Sequence, residues 1–258
     1  MQTTMVHLSK GGVGKTTMSV LYAWYLRKLN KRVLFIDFDN QGNSSQVLTG
    51  VSSEEFPQYH ANAIGTILDF TSQSFPEMFD RVEKTDFDII ASVDDVQFDS
   101  NDAELMMQSV FHLIGSDAYD IAIFDTTPVV DMQLVALMKS TDNLIIPMRP
   151  DEFSFDQISV VKEFKKIADS DRNEPLRIAG IIVNGMMKRP AMTAARDLTL
   201  AGYPDDAIEI AIDMSEPVRL AIDNSVPLFT MSNSWARTKR NEAEQVFDQI
   251  VRRSTWRK

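Results

Sequence analysis

The sequence predicts an α/β fold, a single-domain, doubly wound, mostly parallel sheet flanked by helices. Seven short apolar runs alternate with helical patterns, which is the arrangement of strands joined by crossover helices. Most of these runs lack period-two alternation of apolar and polar residues, as expected for parallel strands buried on both faces. No repeat, low-complexity tract or Pro/Gly-rich linker interrupts the chain, so residues 1–258 are expected to form one domain.

The apolar pattern also predicts the individual elements. Strands are expected at residues 5–8, 33–36, 88–91, 121–124, 144–147, 178–183 and 207–212. The first helix, expected over 16–30, has apolar residues at helical spacing: Met18, Leu21, Tyr22, Tyr25 and Leu29. The last helix is expected over 241–253 with one apolar face: Ala243, Val246, Phe247, Ile250 and Val251. Ligands of parallel sheets bind beyond the carboxyl ends of the strands, so the segments that follow the strands are the candidate site.

Composition excludes several classes of site. The chain has no cysteine, which excludes disulfides and thiolate metal sites. Its three histidines, His7, His60 and His112, have no metal-ligand spacing, and His7 is expected in the first strand. No run approaches the roughly 18–20 apolar residues of a membrane span. Residues 1–7 lack the basic and apolar regions of a signal peptide, so a cytoplasmic protein is expected.

The charge of the chain is unevenly distributed. The formal net charge is −11, which by itself argues against nucleic acid as a partner. Residues 85–138 contain eleven Asp or Glu and no Lys or Arg, whereas residues 231–258 contain seven basic and three acidic residues. Two interpretations remain open: ordinary surface patterning with a basic tail, or an acidic body with one cationic face for a polyanion.

A glycine-rich loop directly follows the first predicted strand and leads into the first helix. Its glycines allow a tight turn whose amides point at phosphate oxygens, and the helix N-terminus adds a positive dipole end. In this context Lys15 is expected to reach the outer phosphates of ATP and the Thr16 hydroxyl to bind Mg²⁺. The alternative is a glycine-rich turn with an incidental lysine. The residues expected to contact the nucleotide are Gly11, Gly12, Val13, Gly14, Lys15, Thr16 and Thr17.

Carboxylates follow two other predicted strands. Asp37 and Asp39 end the second strand, and Asp125 ends the strand at 121–124. Beside a phosphate-binding loop, such groups orient an attacking water or hold Mg²⁺, the latter through water because Mg²⁺ dehydrates reluctantly. The alternatives are turn chemistry for the first two and a helix cap for Asp125.

The start of the loop departs from the usual pattern. Ser9 stands where glycine is usual, and Lys10 precedes the glycine pair. This resembles the deviant Walker A loop of the ParA/MinD superfamily, in its ParA family. The resemblance implies a P-loop ATPase in which Lys10 reaches across a dimer to the nucleotide of the other subunit, and it implies that this ATP-bound homodimer is the active form.

The same resemblance extends to the later segments. Residues 37–43 are similar to the family's Asp-x-Asp-Pro-Gln-Gly-Asn switch, which makes Asp39 the catalytic acid and Asp37 a supporting acid near the metal. Asn40 stands where the family has proline. Asp125 matches the acid of the family's Asp-x-Pro-Pro segment, although Thr127 replaces the first proline. Asn184 matches the family's adenine-contacting asparagine; the alternative is an asparagine that ends a strand before a turn.

The basic C-terminal third is the candidate DNA-binding region. ParA-type ATPases bind DNA without sequence preference, so the resemblance implies this role for four basic residues: Arg219, Arg237, Lys239 and Arg240. The alternative is solvated charge that flanks helices. Further basic residues stand at the C-terminus, with a tryptophan among them: Arg252, Arg253, Trp256, Arg257 and Lys258.

The expected function is therefore that of a partition ATPase. ATP would drive dimerisation and binding to nonspecific DNA, and a ParB-like or other cargo adaptor would stimulate hydrolysis, in a cytoplasmic, nucleoid-associated protein. Because the loop begins at residue 9, no N-terminal DNA-reading domain is expected. A MinD-like, membrane-associated positioning ATPase is the main alternative, although the polar face of the last helix has few lysines for anionic lipid. A metabolic P-loop enzyme is the third possibility.

Overall fold

An eight-stranded sheet in which every pairing is parallel organises the chain, which confirms the predicted fold class. The computed structural model describes residues 1–51, 63–93, 99–170, 172–185, 190–212 and 215–254. The strands lie in the order β3-β4-β2-β5-β1-β6-β7-β8. They are β1 Gln2–Val6, β2 Val33–Asp37, β3 Ala63–Thr66, β4 Phe87–Ala91, β5 Ile121–Asp125, β6 Asn143–Met148, β7 Arg177–Asn184 and β8 Ala207–Ile212.

Helices cover both faces of the sheet. They are α1 Lys15–Lys28, α2 Asn43–Thr49, α3 Ile67–Phe70, α4 Phe75–Arg81, α5 Ser100–Gly115, α6 Met132–Ser140, α7 Glu152–Asp169, α8 Pro190–Gly202, α9 Glu216–Asp223 and α10 Ser234–Arg253. A short 3-10 turn, Leu228–Thr230, precedes α10. Because helices cover both faces, the side chains on both sides of most strands are buried. This explains the unbroken apolar runs in the sequence.

Two apolar clusters, one on each face, form the core. Alternate residues of β2 enter different clusters: Leu34 and Ile36 pack with α3 to α7, whereas Val33 and Phe35 pack with α1, α9 and α10. Helix α1 lies deep in the second cluster, because all of its residues from Met18 to Leu26 are buried. The helix that carries the phosphate-binding loop is thus anchored by the core.

The structure corrects four details of the predicted elements. Strand β1 begins and ends earlier than expected, and the short edge strand β3, which pairs with β4, was not predicted. Helix α10 begins at Ser234 instead of 241, because the Asn233 side chain caps it by accepting from the Ala236 amide at 2.7 Å. Leu29, expected on the apolar face of the first helix, follows α1 and is 40% exposed.

The parallel topology brings the candidate segments to one edge of the sheet. Strand β5 lies between β1 and β2, so Asp125 pairs with Val6 on one side and with Asp37 on the other. The segments after β1, β2 and β5 therefore leave the sheet side by side. The phosphate-binding loop and Asp39 lie in these segments, and Asp37 and Asp125 are the last residues of β2 and β5.

Candidate nucleotide-binding and catalytic site

The glycine-rich loop has the backbone that its sequence predicts. Gly12 and Gly14 have positive φ angles of 69° and 93°, a region that side chains other than glycine rarely adopt. Helix α1 starts directly after Gly14, with no side-chain cap and no acidic residue in its first turn. The amides at the start of α1 thus lack a capping side chain and are suited to bind an anion.

Asn184 holds the back of this loop. Its side-chain Nδ2 donates to the Val13 carbonyl at 2.8 Å, and only 2% of the residue is exposed. A Cβ atom at Gly14 would lie 1.8 Å from that Nδ2, so the close approach requires glycine. The structure places Asn184 behind the loop and outside the set of described residues that line the cavity. Its expected contact with adenine stays a prediction.

Lys15 is the first residue of α1 and is only 7% exposed. Its Nζ donates to the Lys10 carbonyl at 3.0 Å, which folds the side chain back over the loop. Burial lowers the pKa of Lys15, and the negative charges of Asp125 and Asp39 partly offset this effect. A buried ammonium group with no direct carboxylate partner in the described part of the chain is well placed to bind phosphate oxygens.

Asp37 and Asp125 are fully buried on neighbouring strands. Asp37 Oδ2 accepts from the amide and hydroxyl of Ser45 at 2.9 and 2.7 Å, and its Oδ1 accepts from the Asp39 amide at 3.0 Å. Asp125 Oδ1 accepts from the Ser19 hydroxyl at 2.9 Å. Its Oδ2 is buried and has no hydrogen-bond partner among the described residues. An unpaired buried carboxylate oxygen of this kind is costly unless a ligand contacts it.

Burial is the main reason why the pKa values of Asp37 and Asp125 are raised. It raises the pKa of Asp125 to about 7, and the charge of Asp37 contributes to the same shift. Burial also raises the pKa of Asp37, to about 6, against the lowering effect of its hydrogen bonds to Ser45. Without a cation, the folded protein therefore binds protons here more tightly than the unfolded chain does.

This pair predicts a pH-dependent stability for the nucleotide-free protein. Because the folded pKa of Asp125 lies above its unfolded value, the contribution of this carboxyl to stability is greatest at low pH and is lost as pH rises from about 4 to about 7. Asp125→Asn removes the buried charge but keeps an acceptor for Ser19. We expect its Tm to exceed wild type by ~3 °C or more at pH 8 and by much less at pH 5, measured by calorimetry in EDTA.

The exposed Asp223, at the end of α9, offers the matched control. Asp223→Asn makes the same chemical change without relieving a buried charge, so its Tm should follow wild type at both pH values. A Tm of Asp125→Asn below wild type at pH 8 would contradict the interpretation of this pair.

Lys10, the early lysine of the loop, points away from the loop's own phosphate site. Its Nζ donates to Asp151 Oδ1 at 2.6 Å and to the Ser154 hydroxyl at 3.2 Å. Asp151 caps α7 by accepting from the Ser154 amide at 2.8 Å. The Lys10 side chain thus rests on the start of α7 in the single chain.

A cavity of about 700 Å³ opens above the loop. It is wide enough to accept a nucleotide, since small-molecule sites typically measure roughly 300–1,000 Å³. Val13 is fully buried in the core, so only its backbone is available to a ligand. The lining residues include Gly11, Gly12, Gly14, Lys15, Thr16, Thr17, Asp39, Thr127 and Gln133.

The oxygen ligands at this site fit Mg²⁺ bound together with a nucleotide better than they fit a metal ion held by protein ligands alone. No group of three or more His, Cys, Asp or Glu in the described part of the chain could hold a metal ion. Mg²⁺ usually keeps several waters and binds one or two carboxylates together with substrate phosphates. The unpaired Asp125 Oδ2, the adjacent Asp37 and the Thr16 hydroxyl in the cavity meet this description.

Several residues at this site escaped the sequence reasoning. Ser19, Ser45 and Asp151 bind the predicted residues from other segments. Gln133 lies on α6 and lines the cavity, yet its Nε2 is buried without a partner among the described residues. His7, which was expected in the first strand, lies just beyond the end of β1 and is fully buried. No motif marks these positions, because the fold brings them together from distant parts of the sequence.

The four predicted DNA-binding residues differ in their surroundings. Arg219 on α9 and Arg237 on α10 are exposed and make no ion pair with any residue that the structure describes. Lys239 instead pairs with Glu242 at 2.8 Å, and Arg240 donates to the Met231 carbonyl at 3.2 Å. The first two are therefore the stronger candidates for phosphate contacts. Trp256, Arg257 and Lys258 lie outside the described residues.

Within the described ranges, every helix is too short or too polar to cross a lipid bilayer.

Comparison with known proteins identifies the family. The model of the AAA domain family matches residues 1–178, more than half of the chain. The chain belongs to this family. The cell division protein PomZ of Myxococcus xanthus is 24% identical over 257 residues, which cover 95% of this chain and 76% of that protein. Protein IncC of Escherichia coli is 24% identical over 257 residues, covering 97% and 69%. The sporulation initiation inhibitor protein Soj of Bacillus subtilis is 25% identical over 177 residues, covering 67% and 68%.

These relatives support the resemblance to the ParA family of the ParA/MinD class. Solved structures agree on the fold of this P-loop ATPase. Apo McdA from Cyanothece has a TM-score of 0.73 at 19% identity, covering 97% of this chain and 99% of that chain. An ATP complex of an McdA variant has a TM-score of 0.71 at 19% identity, covering 98% and 95%. The MinD protein of Pyrococcus horikoshii, complexed with Mg-ADP, has a TM-score of 0.65 at 19% identity, covering 97% and 94%.

Proposed function

We propose that this ATPase dimerises on Mg·ATP, binds DNA without sequence preference as a dimer, and releases it after hydrolysis that a cargo adaptor stimulates. The position of Lys10 carries the proposal. In the single chain this ammonium binds Asp151 and stays outside its own cavity, although the loop has room for a phosphate ligand. This position outside its own cavity supports a role for Lys10 at the site of a second subunit.

The residues of the cavity divide the chemistry of hydrolysis among them. The loop amides and Lys15 would bind the phosphates of ATP, while Thr16, Asp37 and Asp125 would hold Mg²⁺ directly or through water. Bound Mg²⁺ would neutralise charge on the phosphate oxygens. Asp39, which lines the cavity at the end of β2, would orient and deprotonate the attacking water. Asn184 would contact the adenine from the end of β7.

Dimerisation would transfer Lys10 from Asp151 to the nucleotide of the partner subunit. The ion pair is only partly buried, with 26% of the Lys10 side chain and 37% of the Asp151 side chain exposed. Ion pairs of this exposure contribute little, about 1 kcal/mol or less. Contact with a triphosphate, which carries more charge than one carboxylate, would outweigh this loss.

DNA binding would use the cationic surface near α9 and the start of α10. Arg219 and Arg237 project into solvent without a neutralising carboxylate among the described residues. Such side chains bind DNA phosphates and carry no sequence information. Two subunits would double the number of contacts, so that affinity for DNA would depend on ATP.

The double variant Arg219→Ala/Arg237→Ala tests this surface. We expect at least about tenfold weaker DNA binding with ATP, and a salt dependence reduced by up to about four counterions per dimer, because four phosphate contacts are removed. Basal hydrolysis should stay near wild type. Gel shifts at several salt concentrations give both quantities.

Arg196 provides the matched control, since it is an arginine on α8 that pairs with Asp197 at 2.8 Å. Arg196→Ala should leave DNA binding unchanged. Equal affinity of wild type and the double variant would place the DNA-binding face elsewhere.

The proposed cycle as a whole is tested by size-exclusion chromatography with Mg·ATP or Mg·ADP, with and without a DNA fragment. We expect a dimer with ATP and a monomer with ADP, and DNA retention only with ATP. The same protein is also sedimented with anionic liposomes in the presence of ATP. A MinD-like ATPase would bind to the liposomes under these conditions. DNA retention that is equal in ATP and ADP would overturn the proposed coupling.

A further inference from the structure

His7 is a fully buried histidine between the phosphate-binding loop and the segment after β5. Its Nδ1 lies 2.8 Å from the Thr126 hydroxyl, and its Nε2 lies 3.0 Å from the Ser9 hydroxyl. The Thr126 hydroxyl also lies 2.9 Å from the Val6 carbonyl. The imidazole of His7 thus contacts a residue that is 119 positions away in the sequence.

The direction of these hydrogen bonds follows from the number of protons. A carbonyl only accepts, so the single proton of the Thr126 hydroxyl is donated to Val6. His7 Nδ1 must then carry a hydrogen and donate to Thr126, which leaves Nε2 to accept from Ser9. Burial, with a smaller contribution from the charge of Lys15, lowers the pKa of His7 to about 3. The ring is neutral, as this chain of donors requires.

Both ends of the chain adjoin residues of the proposed reaction. Ser9 immediately precedes Lys10, and Thr126 immediately follows Asp125. Thr127, the next residue, lines the cavity. A shift of the imidazole would therefore displace the backbone on both sides of the phosphate site. Hydrogen-bond chains that run in one direction also strengthen each other in a buried environment.

We propose that His7 is a positioning residue, which holds the Ser9–Lys10 segment and the Asp125–Thr127 segment in register across the phosphate site. This inference rests on the proposed function, since the reaction that it serves is ATP hydrolysis. It assigns a role to a residue that contacts neither the nucleotide nor the metal. The chain makes the geometry of the loop depend on that of the β5 segment, which lies against the same cavity.

Steady-state ATPase kinetics test the role, because positioning affects turnover more than binding. We expect His7→Ala to lower kcat at least about tenfold while KM changes less than about threefold, since small misplacements of catalytic groups are costly. His7→Asn retains a donor near Nδ1, and His7→Gln retains an acceptor near Nε2. Each should recover part of the turnover that alanine loses, whereas His7→Leu, which fills the space without a hydrogen bond, should not.

A double-mutant cycle separates the chain from general packing effects. Thr126→Val and Ser9→Ala remove one hydroxyl each, with little change in volume. Each should lower kcat in the wild-type background and have little further effect in His7→Ala. The control is His112→Ala, because His112 is a histidine on α5 whose Nε2 contacts Asp80. That variant should hydrolyse ATP as wild type does.

Nitrogen-15 spectra of the histidines give a readout that does not depend on catalysis. The chain has only three histidines, so the resonances of His7 are assigned by comparison with His7→Gln. We expect a hydrogen on Nδ1 and none on Nε2. The opposite tautomer, or wild-type kcat in a folded His7→Ala, overturns the role of His7. A wild-type protein that does not hydrolyse ATP overturns the proposed function instead, while the spectra still report whether the hydrogen-bond chain exists.

Discussion

Replacing Lys15 with alanine is expected to abolish measurable ATP binding while the fold persists. The ammonium group is almost fully buried over the loop, and its only neighbouring acceptor in the described contacts is the Lys10 carbonyl. Hydrogen bonds to charged groups contribute about 1.5–3 kcal/mol each. Loss of two phosphate contacts therefore weakens binding roughly a thousandfold. Calorimetric titration with Mg·ATP measures the effect, and circular dichroism verifies the fold.

Lys10→Ala is the matched control for this experiment. It removes a second lysine from the same loop, but one whose side chain rests on Asp151 and not in the cavity. We expect it to bind ATP nearly as wild type does, yet to remain monomeric in size-exclusion chromatography. If both variants lost ATP binding equally, the division of roles between the two lysines would be wrong.

Asp39→Ala is expected to bind ATP, lose hydrolysis and accumulate as the ATP-bound dimer. Asp39 lines the cavity at the end of β2, and its Oδ1 accepts from the Gln41 amide at 3.1 Å. Loss of a general base typically lowers turnover by about 10²–10⁴-fold. Single-turnover hydrolysis and size-exclusion chromatography in ATP measure the two effects.

Two further substitutions sharpen this test. Asp39→Asn keeps the shape of the side chain but removes the base, so it should be nearly as inactive as alanine. Asn40→Ala alters the exposed neighbour and should retain most of the activity. Wild-type hydrolysis by Asp39→Ala would remove Asp39 from its role, even if ATP still bound the loop.

The sequence predicts the fold well for strands that are covered by helices on both faces of the sheet. Seven strands are apolar enough to stand out, whereas β3 is short, contains Gly65 and lies at the edge of the sheet, where fewer apolar residues are needed. The sequence predicts the first strand too late in the chain, because β1 begins with the polar residues Gln2, Thr3 and Thr4. Thr3 is buried and bound through its amide and hydroxyl to Asp142. A local pattern cannot reveal a partner that is 139 positions away.

The same limit applies to the candidate site. The loop and its adjoining carboxylates follow strands directly, so their convergence is predictable from a parallel topology. The supporting side chains are different, because Ser19 meets Asp125 and Asp151 meets Lys10 only after the whole sheet has formed. Their residue types are common in any loop or helix. The burial of the Asp37 and Asp125 carboxylates likewise depends on packing from both faces of the sheet. This burial raises the pKa of both groups.

The uncapped N-terminus of α1 links the stability of the fold to the binding of nucleotide. Most helices satisfy their first amides with a side chain, but this one has neither a capping side chain nor an early acidic residue. A bound phosphate group can supply this partner, so nucleotide binding adds to the free energy of unfolding. At a hundredfold excess over Kd, occupancy adds about 2.7 kcal/mol to the free energy of unfolding. Removal of nucleotide would therefore lower the free energy of unfolding by the same amount.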